Sequence, residues 1–139
     1  VNIDGVENGI VLDHIRAGEC MKIYELLGLG DLDCSVAIIM NAYSQKMGRK
    51  DIIKIDAPLD LDLDALGYVD PLITVNIVRG GALSKKKNLS LPERLTNVVK
   101  CKNPRCITST EDDVDQVFKL SDSERRLYRC VYCETAPES

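Results

Sequence analysis

The sequence predicts an α+β fold: an antiparallel sheet with two helices on one face, followed by a small domain built on four cysteines. Three observations predict it. Through the first part of the chain, short apolar runs of period two alternate with stretches of period 3.6. After "SLPERL" (90–95) large apolar residues become scarce and charges more frequent. That later stretch carries two cysteine pairs, "CKNPRC" (101–106) and "CVYC" (130–133). The seam predicts two domains, 1–92 and 93–139. Pro92 suits it, because a proline biases the preceding residue toward extended backbone.

The elements follow in order. "IVLDHI" (10–15) reads as a short strand. In "AGECMKIYELLGLG" (17–30), Cys20, Ile23, Tyr24 and Leu27 recur at i, i+3, i+4 and i+7, one apolar stripe of a helix that Gly28 and Gly30 terminate. "SVAIIMNAYS" (35–44) reads as a buried strand. "DIIKIDA" (51–57) is another, with Ile53 and Ile55 on one face and Ile52, Lys54 and Asp56 on the other. "LDLDLDALGYV" (59–69) predicts a second helix, although its alternation also fits a strand. "ITVNIVR" (73–79) turns Ile73, Val75 and Ile77 inward and Thr74, Asn76 and Val78 outward. Gly80 and Gly81 then turn the chain into "ALSKKK". The β-α-β-β-α-β order is that of a ferredoxin-like sheet.

Composition narrows the function. Aromatics make up 4% of the chain, Trp is absent, and the net charge is −4, which argues against a basic, aromatic-lined nucleic-acid face. No apolar run approaches the ~18 residues of a membrane span. The opening "VNIDGVENGI" is acidic and unlike a secretory leader, so a cytoplasmic protein is expected. No phosphate loop, dinucleotide fingerprint, nucleophile elbow or paired-histidine motif occurs, so an enzyme is not expected. "LDLDLD" (59–64) lacks the glycine turn and final glutamate of a calcium loop.

Cys101, Cys106, Cys130 and Cys133 are spaced C-x4-C, x23, C-x2-C. Each pair suits a tight turn whose thiolates converge on one ion, and two turns complete a tetrahedral site with Zn–S about 2.3 Å. Zinc is the default ion for an all-thiolate structural site. A segment this short lacks the apolar surface to fold on a core alone. Disulfides require an oxidising compartment, and a redox pair normally accompanies a βαβ unit. Four sulfurs also close the shell that a catalytic zinc leaves open. Cys20 and Cys34 read as core residues.

Lys54 and Asn76 both face away from the inward residues of their strands. Adjacent strands place them on one surface, with Lys50 and Lys85 to Lys87 as further cations. Such a surface suits an anion with several phosphates, with Asp13 able to accept from ribose hydroxyls. Ordinary solvated lysines are the competing reading. His14, the single histidine, is a strand-end residue that contacts a polar partner or a ligand. Strand alternation separates it from Asp13.

"VLDHI", "MGRKDIIKI", "TVNIV", "SLPERLTNV", "CKNPRCIT" and "CVYCE" occur in this order. From about Ile3 to Glu134 the chain closely resembles the regulatory chain of aspartate carbamoyltransferase. The resemblance implies a non-catalytic subunit. Its first domain pairs with a twin and binds ATP or CTP, in some members with UTP. Its β-rich domain holds one structural Zn2+ and docks on catalytic trimers. By motif, the family's zinc ligands fall on Cys101, Cys106, Cys130 and Cys133. Its effector contacts fall on Val11, Asp13, His14, Lys50, Lys54, Asn76 and Lys86, and more loosely on Ile3, Asp4 and Val6. Its catalytic-chain contacts fall on Asn103 and Glu134. Lys85 and Lys87 flank Lys86, which leaves that register open by one. Where many relatives carry a bulky residue against the base, this chain has Gly81. Only six residues follow Cys133, so a short final strand is expected. Two rival readings remain at this point: an architectural zinc subunit without nucleotide response, and a zinc-ribbon nucleic-acid-binding protein.

Overall fold

The structure is a computed structural model that describes residues 2–138. The chain forms two compact units, Val1–Ser90 and Leu91–Ser139.

In the first unit, β1 (Gly9–Arg16), β2 (Val36–Ser44), β3 (Gly48–Ile55), β4 (Thr74–Arg79) and β5 (Ala82–Asn88) make one sheet. Its order is β2-β3-β1-β4-β5, and every neighbouring pair is antiparallel. With helices α1 (Cys20–Leu26) and α2 (Leu63–Val69), this is the ferredoxin-like arrangement extended by a fifth strand. Gly80 and Gly81, at φ 59° and 74°, form the two-residue β4–β5 turn. Paired positive φ values match the twist of the flanking strands and favour glycine. The core lies on the helix side of the sheet. Ile10, Leu12, Ile53, Ile55, Ile73 and Val75 pack there with Cys20 and Ile23 of α1 and Leu66 of α2.

Four local readings change. The 17–30 stretch is helical only over Cys20–Leu26; Gly28 takes a left-handed φ of 63° and a single 3-10 turn, Leu29–Asp31, follows. The 59–62 stretch is extended rather than helical. Leu59, Leu61 and Leu63 pack on the core while the intervening aspartates face solvent, until the Asp62 carboxylate accepts from Ala65 N at 3.1 Å and starts α2. The alternation in "LDLDLD" therefore records a real extended arm. β2 is not buried: sheet order makes it an edge, and Met40 and Tyr43 are 58% and 74% exposed. Finally, His14 has φ 60° at an irregularity between Leu12 and Ile15, so simple alternation fails next to Asp13.

A matching irregularity in β2 places Asn41 at φ 59°. Asp51 of β3 ties this second irregularity to the start of α1. Its fully buried carboxylate accepts backbone N–H groups from Gly18 (2.9 Å), Cys20 (3.3 Å) and Asn41 (3.0 Å). Burial alone raises the Asp51 pKa, but these donors outweigh it and hold the carboxyl below the ordinary aspartate value. Asp51→Ala strands the buried donors and is expected to destabilise this unit by about 3 kcal/mol, read from its urea midpoint. Because the folded pKa is depressed, the contribution of Asp51 is complete above the unfolded value of about 3.9. It is lost as pH falls through the folded value.

The second unit contains β6 (Arg94–Thr96), the one-turn α3 (Ile107–Thr110), β7 (Val117–Asp122) and β8 (Leu127–Cys130), with sheet order β6-β7-β8. Leu95, Phe118 and Tyr128 fill its inner face, and the Tyr128 hydroxyl donates to the Pro92 carbonyl at 2.6 Å. Beyond these, the buried apolar residues among those described in this unit are Cys101, Cys106 and Cys130. Three large side chains are a slender core. The thiols therefore occupy what would otherwise be the centre of a hydrophobic cluster.

Candidate functional site

The four cysteines come together. One sulfur from each of Cys101, Cys106, Cys130 and Cys133 lies within 4.8 Å of the other three. Cys101 and Cys133 approach to 3.5 Å, Cys106 and Cys130 to 3.7 Å. A tetrahedron with metal–sulfur bonds of about 2.3 Å requires sulfur separations of about 3.8 Å, so the cluster has the dimensions of a four-thiolate metal site. The first knuckle runs from Cys101 through Asn103 into α3, with Cys106 N donating to Asn103 O at 3.1 Å. The second closes the end of β8, where Glu134 N donates to Cys130 O at 2.9 Å. Glu134 takes φ 64° to complete that turn.

The thiols are not equivalent. The Thr108 hydroxyl donates to Cys106 Sγ at 3.2 Å and lowers that thiol's pKa. Hydrogen bonds from Thr135, assisted by Asn103, bring Cys133 down to about 6. Burial instead pushes Cys101 up to about 12 and raises Cys130. Two positions thus favour the thiolate, and a cation held by the four sulfurs would supply the charge that the other two need.

A second set of side chains gathers on the sheet face opposite the helices. Lys54 of β3, Val11 of β1, Asn76 of β4 and Lys86 of β5 stand in one cross-strand row: Lys54 pairs with Val11, Val11 with Asn76, and Asn76 with Lys86. Lys85 and Lys87 pair with Ile77 and Val75 instead, so Lys86 is the lysine of that run in the Asn76 row. Val11 also packs with Val6, Ile52 and Val78, and Ile3 lies against them. The N-terminal stretch therefore roofs part of this face. The Lys54 ammonium donates to the Asp4 carbonyl at 2.9 Å and to Asn2 Oδ1 at 3.4 Å.

Asn76 is fully buried; its Nδ2 donates to Val11 O at 3.1 Å, while its Oδ1 has no donor. A buried acceptor left alone costs about 1–3 kcal/mol, and a water or a ligand donor at this position would remove that cost. Asp13, 1% exposed, is paired with Lys50 Nζ at 2.9 Å. Although burial raises its pKa, the Lys50 hydrogen bond and the His14 N–H bring it below the ordinary value. His14 Nδ1 meets Thr74 Oγ1 at 3.1 Å. Burial lowers the His14 pKa and prevails over the opposing charge of Asp13; Lys50, Lys46 and Lys86 also disfavour the imidazolium.

Sequence reading missed Leu83 on this face. It pairs with Val78 and is 47% exposed. A register shift between Ile77 and Val78 inserts an extra β5 residue, so period-two counting back from Lys86 assigns Leu83 to the wrong side. Asn2 was missed as well, because nothing in its neighbourhood shows that the segment folds back onto Lys54.

Residues 1–90 match the family described as aspartate carbamoyltransferase regulatory chain, allosteric domain, and residues 93–138 match that chain's metal binding domain. The aspartate carbamoyltransferase regulatory chains of Clostridium botulinum and Clostridium acetobutylicum are each 48% identical to this chain over 134 residues, 96% of this chain and 92% of theirs. That of Bifidobacterium longum is 45% identical over 134 residues, 96% of both chains. A sulfur cage in one unit, a lysine-bearing face in the other and full-length relatives of one kind lead to one conclusion: this chain belongs to the aspartate carbamoyltransferase regulatory chain family and is regulatory, not catalytic.

Proposed function

We propose that this chain senses nucleotides and relays their binding to catalytic trimers of aspartate carbamoyltransferase, the enzyme that condenses carbamoyl phosphate with aspartate in pyrimidine synthesis. Residues 1–92 form the nucleotide-binding domain and 93–139 the zinc domain that docks on the catalytic chain. The observation that carries the reading is the row Lys54–Val11–Asn76–Lys86, with the orphaned Asn76 Oδ1 at its centre. Lys54 and Lys86 would hold the phosphates of ATP or CTP. The Asn76 oxygen would take a hydrogen bond from the base or the ribose. Phosphate oxygens would replace the Asp4 carbonyl as the partner of the Lys54 ammonium, a stronger acceptor for the same donor.

Zinc is the ion that best suits four thiolates at this spacing. Its part is structural: it closes the two knuckles into one unit. Ile107 is exposed just after Cys106, and Val131 and Tyr132 are exposed between Cys130 and Cys133; with Asn103 and Glu134 they would offer apolar and polar contacts to the catalytic chain. The exposed edge β2, with Ile39, Met40 and Tyr43, suits pairing with a second regulatory chain. Effector binding changes the partner only through a difference in affinity for two states of the assembly, typically ~1–3 kcal/mol.

Calorimetric titration of the zinc-loaded chain with CTP, repeated with ATP as competitor, tests the site. Saturable CTP binding that ATP displaces is expected. One observation favours the architectural alternative: Gly81 leaves no side chain beside the site, and a Cβ there would lie 3.2 Å from the Glu7 carboxylate. Failure of a folded, zinc-loaded chain to bind either nucleotide would favour that reading.

A further inference from the structure

We propose that Gln116 is a positioning residue of the metal centre, a clamp that sets the first cysteine knuckle and joins it to the second before the ion arrives. This inference rests on the cage being a metal site, and it concerns a residue that is not a ligand. Gln116 Oε1 accepts the Cys101 N–H at 2.9 Å, and its Nε2 donates to the Thr108 carbonyl at 3.3 Å. One side chain thus bridges the first ligand of the knuckle to the residue two beyond the second ligand. Thr108 in turn donates to Cys106 Sγ at 3.2 Å. Both cysteines of the C-x4-C pair are therefore at most one residue's bonds away from Gln116.

The Gln116 backbone is itself held. Its N–H donates to Asn97 Oδ1 at 2.9 Å, and its carbonyl accepts the Asn97 N–H at 2.7 Å. Asn97 adopts φ 58°, a conformation that asparagine tolerates better than most residues, and its amide also donates to Asp115 Oδ1 at 3.1 Å. The adjoining residue completes the link: Val131 N, next to Cys130, donates to Val117 O at 3.0 Å. Phe118 then pairs with Cys130 across β7 and β8. The dipeptide Gln116–Val117 is where the first knuckle, by side chain, and the second, by backbone, meet.

The physical consequence is preorganisation. Without the clamp, the Cys101 N–H and the Thr108 carbonyl lose their partner, and the first knuckle samples conformations in which its sulfurs do not converge. Loss of partners outside the ligand set typically costs ~10–100-fold in metal affinity.

The test uses the full chain loaded with Zn2+, and in parallel with Co2+ as a spectroscopic probe. Gln116→Met keeps length and bulk but removes both hydrogen bonds. Gln116→Glu keeps an acceptor for the Cys101 N–H and loses the donor to Thr108. Gln116→Met is expected to release Zn2+ to excess chelator ~10–100-fold faster than wild type. Its cobalt ligand-field bands are expected to shift or broaden, a change that a packing role alone would not produce. Gln116→Glu, the milder variant should Gln116→Met fail to fold, is expected to release at an intermediate rate. Wild-type release rates and an unchanged cobalt spectrum in Gln116→Met would overturn the clamp; so would a Gln116→Glu variant indistinguishable from wild type. A wild-type chain that holds no ion would instead defeat the metal reading itself, so the two failures are distinct.

Discussion

Stripping the metal from the full chain is expected to unfold residues 91–138 and to release the catalytic partner, while residues 2–90 keep their sheet. The argument rests on what each unit has to bury. The first unit packs a continuous cluster from three strands and two helices. Among the described residues of the second, the buried apolar side chains are Leu95, Phe118, Tyr128 and three of its cysteines. With the ion gone, burial and the crowding of thiols leave Cys101 and Cys130 protonated and at the centre of the unit. Zinc binding to comparable small four-ligand peptides contributes ~10–16 kcal/mol, larger than any core this size supplies. Hydrogen exchange on chelated protein checks the outcome residue by residue. Protection is expected to vanish from β7 and β8 and to persist in β1, β3 and β4. A chelated chain that keeps its protection after Leu91 and still assembles with catalytic trimers would refute this account of the second unit.

The second large effect is at Lys54. Lys54→Ala is expected to weaken CTP and ATP binding ~10–100-fold, the loss of one or two charge-assisted hydrogen bonds at ~1.5–3 kcal/mol in total. Lys54 is 9% exposed and its ammonium has two oxygen partners from the chain itself. Removing it also takes a donor from Asn2 Oδ1 and the Asp4 carbonyl, while Ile3 keeps its packing on the face. Unfolding of the first unit should therefore be monitored in parallel, with little change expected. Unaltered nucleotide affinity in a folded Lys54→Ala variant would mean that phosphates bind elsewhere.

Much of the α+β fold was legible because period-two and period-3.6 signals are local. The Ile53/Ile55 and Ile73/Val75 pairs lie on the core side, as their alternation implies, and Cys20 and Ile23 are the core residues of α1. The cysteine cage was legible from spacing, since two thiols with four or fewer residues between them can converge on one ion within a single tight turn. What escaped was non-local. β2 reads as apolar as any central strand, and only the order of the sheet shows that Met40 and Tyr43 lie on an edge. The irregularities at His14, Asn41 and Ser84, the extra residue of β5, shift the register by one residue, and no residue-by-residue rule announces them. They decide how Asp13 meets Lys50 and why Leu83 shares a face with Val78. The resemblance named Asp13, Lys50, Lys54, Asn76 and Lys86; the register shows which of them share one row. Gln116 carries no motif at all, because its significance comes from two partners, Cys101 and Thr108, that the sequence keeps 15 and 8 residues away.

The central claim is that a nucleotide on the first unit alters a catalytic partner held by the second. Its most direct test is aspartate carbamoyltransferase activity of cognate catalytic trimers reconstituted with the zinc-loaded chain, measured with and without CTP and ATP, beside the same assembly carrying Lys54→Ala. The account predicts opposite responses to the two nucleotides in the wild-type assembly and loss of both in the variant. An assembly that forms fully yet ignores both nucleotides would contradict it, and would leave this chain an architectural bridge.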